Sequence, residues 1–433
     1  LEFLQSSLQD LPERHRSLRA SFEHSWDLLT ESEQEVFSKL SVFPGHFSAQ
    51  AAQAVAGAAF PWLLRLADKS MVRRHSIGRY DLHPLLRQYA GQKLRQFSRR
   101  TEDQTRQAHA QYYCSFLHER GPGLKNSRQV EVLQEVELEL ENISAAWNWA
   151  VEHRSADLLR QAADGLFYFY ETRSRWREGE ESFQKAVSSL AEGQAEKGPH
   201  RHTLALLLAC QGWFCCRLTR FEQADELLQR SLQLVDDHAG FERVFGHFGL
   251  GFLYVWMGRF KEAWLHLSTS IRLAEQSSDL WAAAWPRELL AEIAFESGQS
   301  GNRPEPFLET LAAFERTGDR RGISRAVNYL GNIALSEGHF QDAQSYFEKM
   351  QAYLEQIGDI WGSASAYNKL GLLAEARGEY ERAGALFERA LSQLEKTGDQ
   401  RRMAYTLGEL GLVSTILGQD EKARSFFSQA LQA

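Results

Sequence analysis

The sequence has no G-x-x-x-x-G-K-[ST] string, the loop whose backbone amides and lysine hold nucleotide phosphates. It has neither an HExxH nor a GxSxG. Centres of those three kinds are therefore excluded, and no catalytic residue is read in these 433 residues. Long apolar runs are also missing. No stretch of about 18 apolar residues occurs, so no transmembrane helix is expected. Cysteine is scarce: Cys114, Cys210, Cys215 and Cys216 are the full set, without a CxxC pair. This argues against a metal site and for small core residues in a reducing, cytoplasmic compartment. The first residues, Leu1-Glu2-Phe3-Leu4, contain neither a methionine nor a basic signal region, and the end at Leu431-Gln432-Ala433 falls inside a helical pattern. Both fit a segment of a longer protein.

What is present, above all, is repetition. Gly331, Gly371 and Gly411 are each 40 residues apart. Each is followed at fixed offsets by a second glycine (Gly338, Gly378, Gly418), an alanine (Ala343, Ala383, Ala423) and a phenylalanine (Phe347, Phe387, Phe427). Each unit is preceded by a Gly-Asp spacer at 318–319, 358–359 or 398–399. Self-similarity at one period predicts a solenoid. Arg325 to Glu337 and Gln341 to Ile357 carry helical apolar rhythms, so a unit is a helical hairpin with Gly338 at the helix C-cap. Gly331 and Ala343 permit close helix approach, and Phe347 is expected between neighbouring hairpins. One hairpin cannot bury its apolar face, so the units must stack. The Gly, Gly, Ala, Phe order resembles the tetratricopeptide repeat, whose usual period is ~34 residues; these units are a longer variant.

Residues 1–100 read differently, with 14 Lys/Arg against 10 Asp/Glu although the whole chain is at −8. Ser17 to Leu29 has Leu18, Phe22, Trp26 and Leu29 on one helical face. Thr30-Glu31-Ser32-Glu33 is a capping box for a helix from Glu31 to Leu40. Ser48 caps a third, Ala49 to Ala56, and Pro61 begins a fourth, Trp62 to Ser70. The period then becomes two over Met71–His75 and Arg79–Leu82, with a turn at Ile77-Gly78, which predicts a β-hairpin. Pro84 opens a closing helix through Leu94. Helices followed by a hairpin make a winged helix. Thr101 to Arg120 and Val130 to Glu152 read as connector helices broken at Gly121-Pro122-Gly123.

The strings "LPERHRSLRASFEHSWDLLTESEQEVFSKLSVFPGHFSAQAAQAV", "LADKSMVRR" and "YDLHPLLRQYA" resemble the helical and winged-helix part of the STAND signal-transduction ATPases, which include bacterial transcriptional regulators and the NB-ARC NTPases. In that family the segment follows a nucleotide-binding domain and precedes a repeat sensor. The resemblance implies ATP or ADP with Mg on an upstream domain of the same chain, and no cofactor on this segment. It also implies that His83, at the position of the family's Met-His-Asp-type histidine, touches the ADP phosphate in the full-length protein. Here Pro84 replaces the motif's acid, a departure that leaves His83 an alternative role as a packing residue at a strand–helix junction.

The expected architecture is mainly α: a helical segment and winged helix over 1–100, a helical connector over 101–155, and a superhelix of about seven ~40-residue tetratricopeptide-like repeats over 156–433. The fourth repeat is degenerate, with Ala291 in place of the glycine and an interruption from Gly298 to Pro306. First helices of such hairpins line the concave face. Transferring that pattern points Trp213, Arg217, Phe245, Phe248, Phe252, Trp256, Trp285, Asn328 and Asn368 inward, as a groove for an effector protein, peptide or small ligand. A tight superhelix covering these aromatic groups, and helix-to-helix bonding by the asparagines, are the structural alternatives. Nucleic acid is disfavoured as a partner, because the third winged-helix helix offers only Arg65 and Lys69 beside Asp68, and the wing only Arg73, Arg74 and Arg79. A DNA-binding transcriptional regulator and a non-catalytic scaffold remain the competing readings.

Overall fold

The computed structural model describes residues 13–75, 78–192, 198, 200–236, 240–298 and 302–432. The Leu18 side chain and the turn residue Ile77 lie outside the described residues. The chain forms two compact units. One comprises residues up to Leu117 with Glu135–Ala162, the other His118–Gln134 with Ala163–Ala433.

In the first unit the leading elements are α1 (Glu13–Asp27), α2 (Glu31–Lys39), β1 (Phe47–Ser48), α3 (Ala49–Ala56), α4 (Phe60–Asp68), β2 (Arg73–Arg74), β3 (Arg79–Asp81) and α5 (Pro84–Phe97). The capping box at Thr30 is present: Thr30 Oγ1 accepts from the Glu33 N–H at 3.3 Å, and the Glu33 carboxylate accepts from the Thr30 N–H at 2.8 Å. Ser48 caps α3 by accepting from the Ala51 N–H at 3.1 Å. The predicted hairpin gains a strand. β1 pairs antiparallel with β3, giving the order β1-β3-β2 with Phe47 opposite Tyr80 and Arg73 opposite Asp81. Two residues are too few to show a period, so β1 leaves no alternation in the sequence. Phe47 and Tyr80 are fully buried with Phe43.

Then follow α6 (Arg99–Arg120), α7 (Gln129–Leu138) and α8 (Leu140–Glu152). The helix expected over Val130–Glu152 is thus two helices, broken at Glu139. The buried Glu139 carboxylate accepts from Arg79, from the Tyr113 hydroxyl at 3.0 Å and from Asn142 Nδ2 at 3.0 Å. A carboxylate with three partners holds that residue out of helical geometry, at φ −104° and ψ 5°.

The repeats are helix pairs α9 (Ala156–Thr172) and α10 (Trp176–Glu192), α11 (Arg201–Arg217) and α12 (Phe221–Gln233), α13 (Phe241–Trp256) and α14 (Phe260–Gln276), α15 (Leu280–Glu296) and α16 (Glu305–Thr317), α17 (Arg320–Ser336) and α18 (Phe340–Ile357), α19 (Ile360–Ala376) and α20 (Tyr380–Thr397), and α21 (Gln400–Ile416) with α22 (Asp420–Gln432). Gly338 has the expected positive φ, +78°. A Cβ placed on Gly331, Gly371 or Gly411 would come within 2.4–2.5 Å of Phe347, Phe387 or Phe427. The aromatic ring fills the glycine's notch in its own hairpin. Phe347 also joins Leu370 and Leu373 of the next hairpin in one buried cluster. This pairing is why the spacing between glycine and phenylalanine is invariant along the three units. The four cysteines form no disulfide and are buried, and burial pushes the Cys114 and Cys215 thiols up to about 12.

Gly371→Ala must displace the fully buried Phe387 ring; a loss of about 1–3 kcal/mol is expected in chemical denaturation. Phe387→Ala, which leaves a void, should cost more, about 3–5 kcal/mol.

Candidate functional site

The repeat unit winds far enough for its first hairpin to meet its fifth and sixth. Arg173 donates to the Ile357 carbonyl at 3.1 Å, the Ser174 hydroxyl donates to Asp359 at 2.8 Å, and Arg321 pairs with the buried Glu171. Gln129 donates to Asp319 at 3.2 Å and accepts from the Arg320 N–H at 3.1 Å. The spacer glycines serve this closure. Gly318 (φ +80°) and Gly358 (φ +65°) end α16 and α18, and a Cβ there would collide with Ser127 and with Arg173. Both positive φ and empty space are needed, which only glycine supplies.

A column of alternating rings and cations runs through the contact. The Arg217 guanidinium lies 4.0 Å from the Trp176 ring centroid and 4.4 Å from that of Trp361; Arg402 covers Trp361 at 3.8 Å. The Arg217 side chain is only 4% exposed. Burial pulls the Arg402 guanidinium down to about 10 and shifts Arg217 in the same direction.

The spacer aspartates cap the first helices. Asp319 accepts from the Gly322 N–H at 3.2 Å, Asp359 from the Gly362 N–H at 2.8 Å and Asp399 from the Arg402 N–H at 3.0 Å. The residue two positions after each of Asp279, Asp319 and Asp359 reaches the aspartate that caps the next first helix. Trp281 Nε1 donates to Asp319 at 2.8 Å, Arg321 lies 3.8 Å from Asp359, and Trp361 Nε1 donates to Asp399 at 2.7 Å. Burial raises the Asp319 and Asp359 carboxyls above their ordinary range.

Inside the coil is a chamber of about 50 Å³, space for roughly three waters at the volume one water needs. It is lined by Trp213, Arg217, Phe245, Phe248, Phe252 and Trp285 from the predicted set, together with Glu288 and Arg325. Trp213 is the hub, stacked on Phe252 at 4.5 Å and tilted against Phe248 at 5.2 Å. Trp213, Phe245 and Phe252 are buried; Phe248 and Trp285 are half-buried. Trp256 touches Phe252 but is not in the lining, and Arg401 covers it at 5.4 Å. Asn368 bonds Thr406 of α21 at 3.0 Å, and Asn328 lies apart from the chamber. The pattern missed Phe167, Tyr168 and Glu171 on α9, which carries Phe167 where α11 has Gly212, and Gln129, Trp281 and Arg321. The Asp-x-Trp spacing at 279–281 and 359–361 was the available signal for Trp281.

Several lining groups have polar atoms without a hydrogen-bond partner: Trp213 Nε1, Trp285 Nε1, Arg217 Nε, Glu171 Oε2 and Glu288 Oε1. All five belong to residues that line one aromatic-walled space. Arg325 is shared between Glu288 at 2.9 Å and Glu292 at 2.7 Å. One cation cannot compensate both carboxylates, and burial pushes Glu288 up to about 7.

In the first unit, His83 is exposed and is the N-cap residue of α5; its Nδ1 accepts from the Leu85 N–H at 3.3 Å. That acceptor role puts the proton of a neutral ring on Nε2. Three of the five cations that would face DNA are engaged by carboxylates within the unit, the exceptions being Arg65 and Arg74. Lys69 pairs with Glu33 at 2.8 Å, Arg73 with Asp81 and Arg79 with Glu139.

Because Glu288 titrates higher in the fold than in the unfolded chain, its contribution is complete below about pH 4.5 and is lost as pH rises through about 7. Melting temperatures of wild type and Glu288→Gln, taken from pH 4.5 to 8, should diverge in favour of the variant as pH rises. Parallel curves would contradict the assigned burial.

Residues 362–433 match the tetratricopeptide repeat family model. Curated relatives from Mycobacterium tuberculosis and Mycobacterium bovis, which carry the name HTH-type transcriptional regulator, are 31% identical over 177 residues. That match covers 39% of this chain and 20% of each relative, so the chain spans about a fifth of the length of the curated relatives it matches. A solved structure of a Signal Transduction ATPase with Numerous Domains (STAND) protein with a tetratricopeptide repeat sensor, from Pyrococcus horikoshii, superposes with TM-score 0.60 at 18% identity, covering 94% of this chain and 57% of that one. In fold, the resemblance read from the sequence motifs holds: the chain is similar to a STAND protein with a tetratricopeptide repeat sensor.

Proposed function

We propose that the chain is the sensor and relay region of a STAND-type signalling ATPase. The observation that carries this reading is the chamber: an aromatic-walled interior, with unpartnered donors and acceptors, in a tetratricopeptide superhelix that follows a winged helix. Such an interior is suited to an effector. A space of about 50 Å³ is far below the ~300–1,000 Å³ of ordinary ligand pockets. An effector larger than a few atoms therefore enters only as the coil opens. Effector binding and separation of the first hairpin from the fifth and sixth become one event, and binding energy shifts the closed–open equilibrium by differential affinity.

The winged helix relays nucleotide state from an upstream domain of the same chain, which holds ATP or ADP with Mg and supplies the phosphate chemistry. His83 fits a phosphate contact in part. It is exposed at the N-terminus of a 14-residue helix with Nε2 free to donate, where the helix dipole favours an anion. Pro84 contributes no N–H there. The curated relatives' name favours a transcriptional output for the whole protein; the engaged cations of this winged helix argue that another segment reads the DNA.

The full-length protein provides the test. Its reading frame should encode a P-loop upstream of residue 1. His83→Ala should speed ADP release about tenfold without lowering the melting temperature. Trp361→Ala should raise ATP turnover without effector. A reading frame lacking the P-loop defeats the proposal and leaves the scaffold reading.

A further inference from the structure

The winged-helix sheet carries a side-chain cluster that the relay does not use. In an antiparallel sheet, residues opposite one another point to the same face. Tyr80 faces the core, so its neighbours Arg79 and Asp81 face outward. Continuing the register of Phe47 opposite Tyr80 by one residue sets His46 across from Asp81. His75 lies across from Arg79, donating its N–H to the Arg79 carbonyl at 2.8 Å. Three short strands thus deliver two imidazoles and a carboxylate to one patch of one face.

The distances agree. His75 Nε2 is 3.1 Å from Asp81 Oδ1, and the His46 and His75 rings meet edge to face with centroids 4.5 Å apart. One ligand atom from each of His46, His75 and Asp81 can be chosen so that all lie within 4.8 Å of one another. Metal–ligand distances of 2.0–2.2 Å place tetrahedral neighbours about 3.4 Å apart. Small rotations of exposed side chains close the difference. The backbone beneath is anchored: the His46 carbonyl accepts from Asn142 Nδ2 at 2.7 Å and from Arg79 Nη2 at 3.2 Å. Arg79 is itself paired with Glu139, which reduces its repulsion towards a cation. The competitor is Arg73, whose Nε and Nη2 occupy both Asp81 oxygens at 2.9 and 2.5 Å.

We propose that His46, His75 and Asp81 form a binding site for a divalent transition-metal ion of the zinc class, with its fourth position open to solvent. Two imidazoles and one carboxylate select borderline ions over magnesium or calcium. The ion ties the segment before β1 to both strands of the wing.

The test uses the whole chain, freed of metal with EDTA, and titrates ZnCl₂ by calorimetry and CoCl₂ by visible absorption. One saturable site is expected, with the absorption bands of tetrahedral cobalt. His46→Ala and His75→Ala should each weaken binding about tenfold or more. Arg73→Gln, which frees both Asp81 oxygens, should tighten it. Each of these positions is exposed, and circular dichroism would verify that the variants remain folded. Absence of saturation below about 1 mM, or equal affinity in wild type and both histidine variants, overturns the proposal and leaves a simple histidine–aspartate ion pair.

Discussion

The repeat unit is held in its closed coil by Arg217 and Arg402 against Trp176 and Trp361. These residues come from the first, second, sixth and seventh hairpins, so the column joins stretches more than a hundred residues apart. Each desolvated cation–π contact contributes about 2 kcal/mol, whereas removing a guanidinium from water costs several. The downward shifts of Arg217 and Arg402 mark that opposing cost. The column therefore aligns the turns without locking them. The ion pair of Arg321 with Glu171 and the bonds of Ser174 and Gln129 add to the closure at its two flanks.

One local rule, repeated, builds this assembly. An aspartate at the head of the first helix, after a spacer glycine or after Ser278, caps that helix, and the residue two positions on reaches the next such aspartate. Where that residue is tryptophan, at 281 and 361, the bond is an indole donor; where it is Arg321, it is a charge. The exception matters, because Arg321 is also the residue that crosses to Glu171. The chamber forms beside it. Its walls come from the inward faces of α9, α11, α13, α15 and α17, and packing satisfies their rings while leaving several of their polar atoms unbonded.

In the first unit the comparable organising group is Glu139. Its carboxylate draws together Arg79 of β3, Tyr113 of α6 and Asn142 of α8, and interrupts a run that local propensity would have kept helical. The same network anchors the segment before β1. Of the cations that look available in sequence, Lys69, Arg73 and Arg79 end on carboxylates.

The period of 40, the capping box at Thr30, the caps at Ser48 and the spacer aspartates, and the placing of the small β-hairpin before the helical repeats follow from the sequence alone. They are short-range: a helix cap or a glycine–phenylalanine notch is decided by residues within a turn or one hairpin. The inward faces of α11, α13 and α15 were legible for the same reason, because helical spacing sets which side a residue takes. What only the tertiary structure decided is how tightly the hairpins coil. That depends on small rotations per repeat, which no residue encodes singly, and it determines that Arg217 stacks between two tryptophans, that Glu171 and Gln129 join the interior, and that the groove narrows to a chamber. The two-residue strand β1 and the break at Glu139 were hidden likewise, since each exists only through partners far away in the chain.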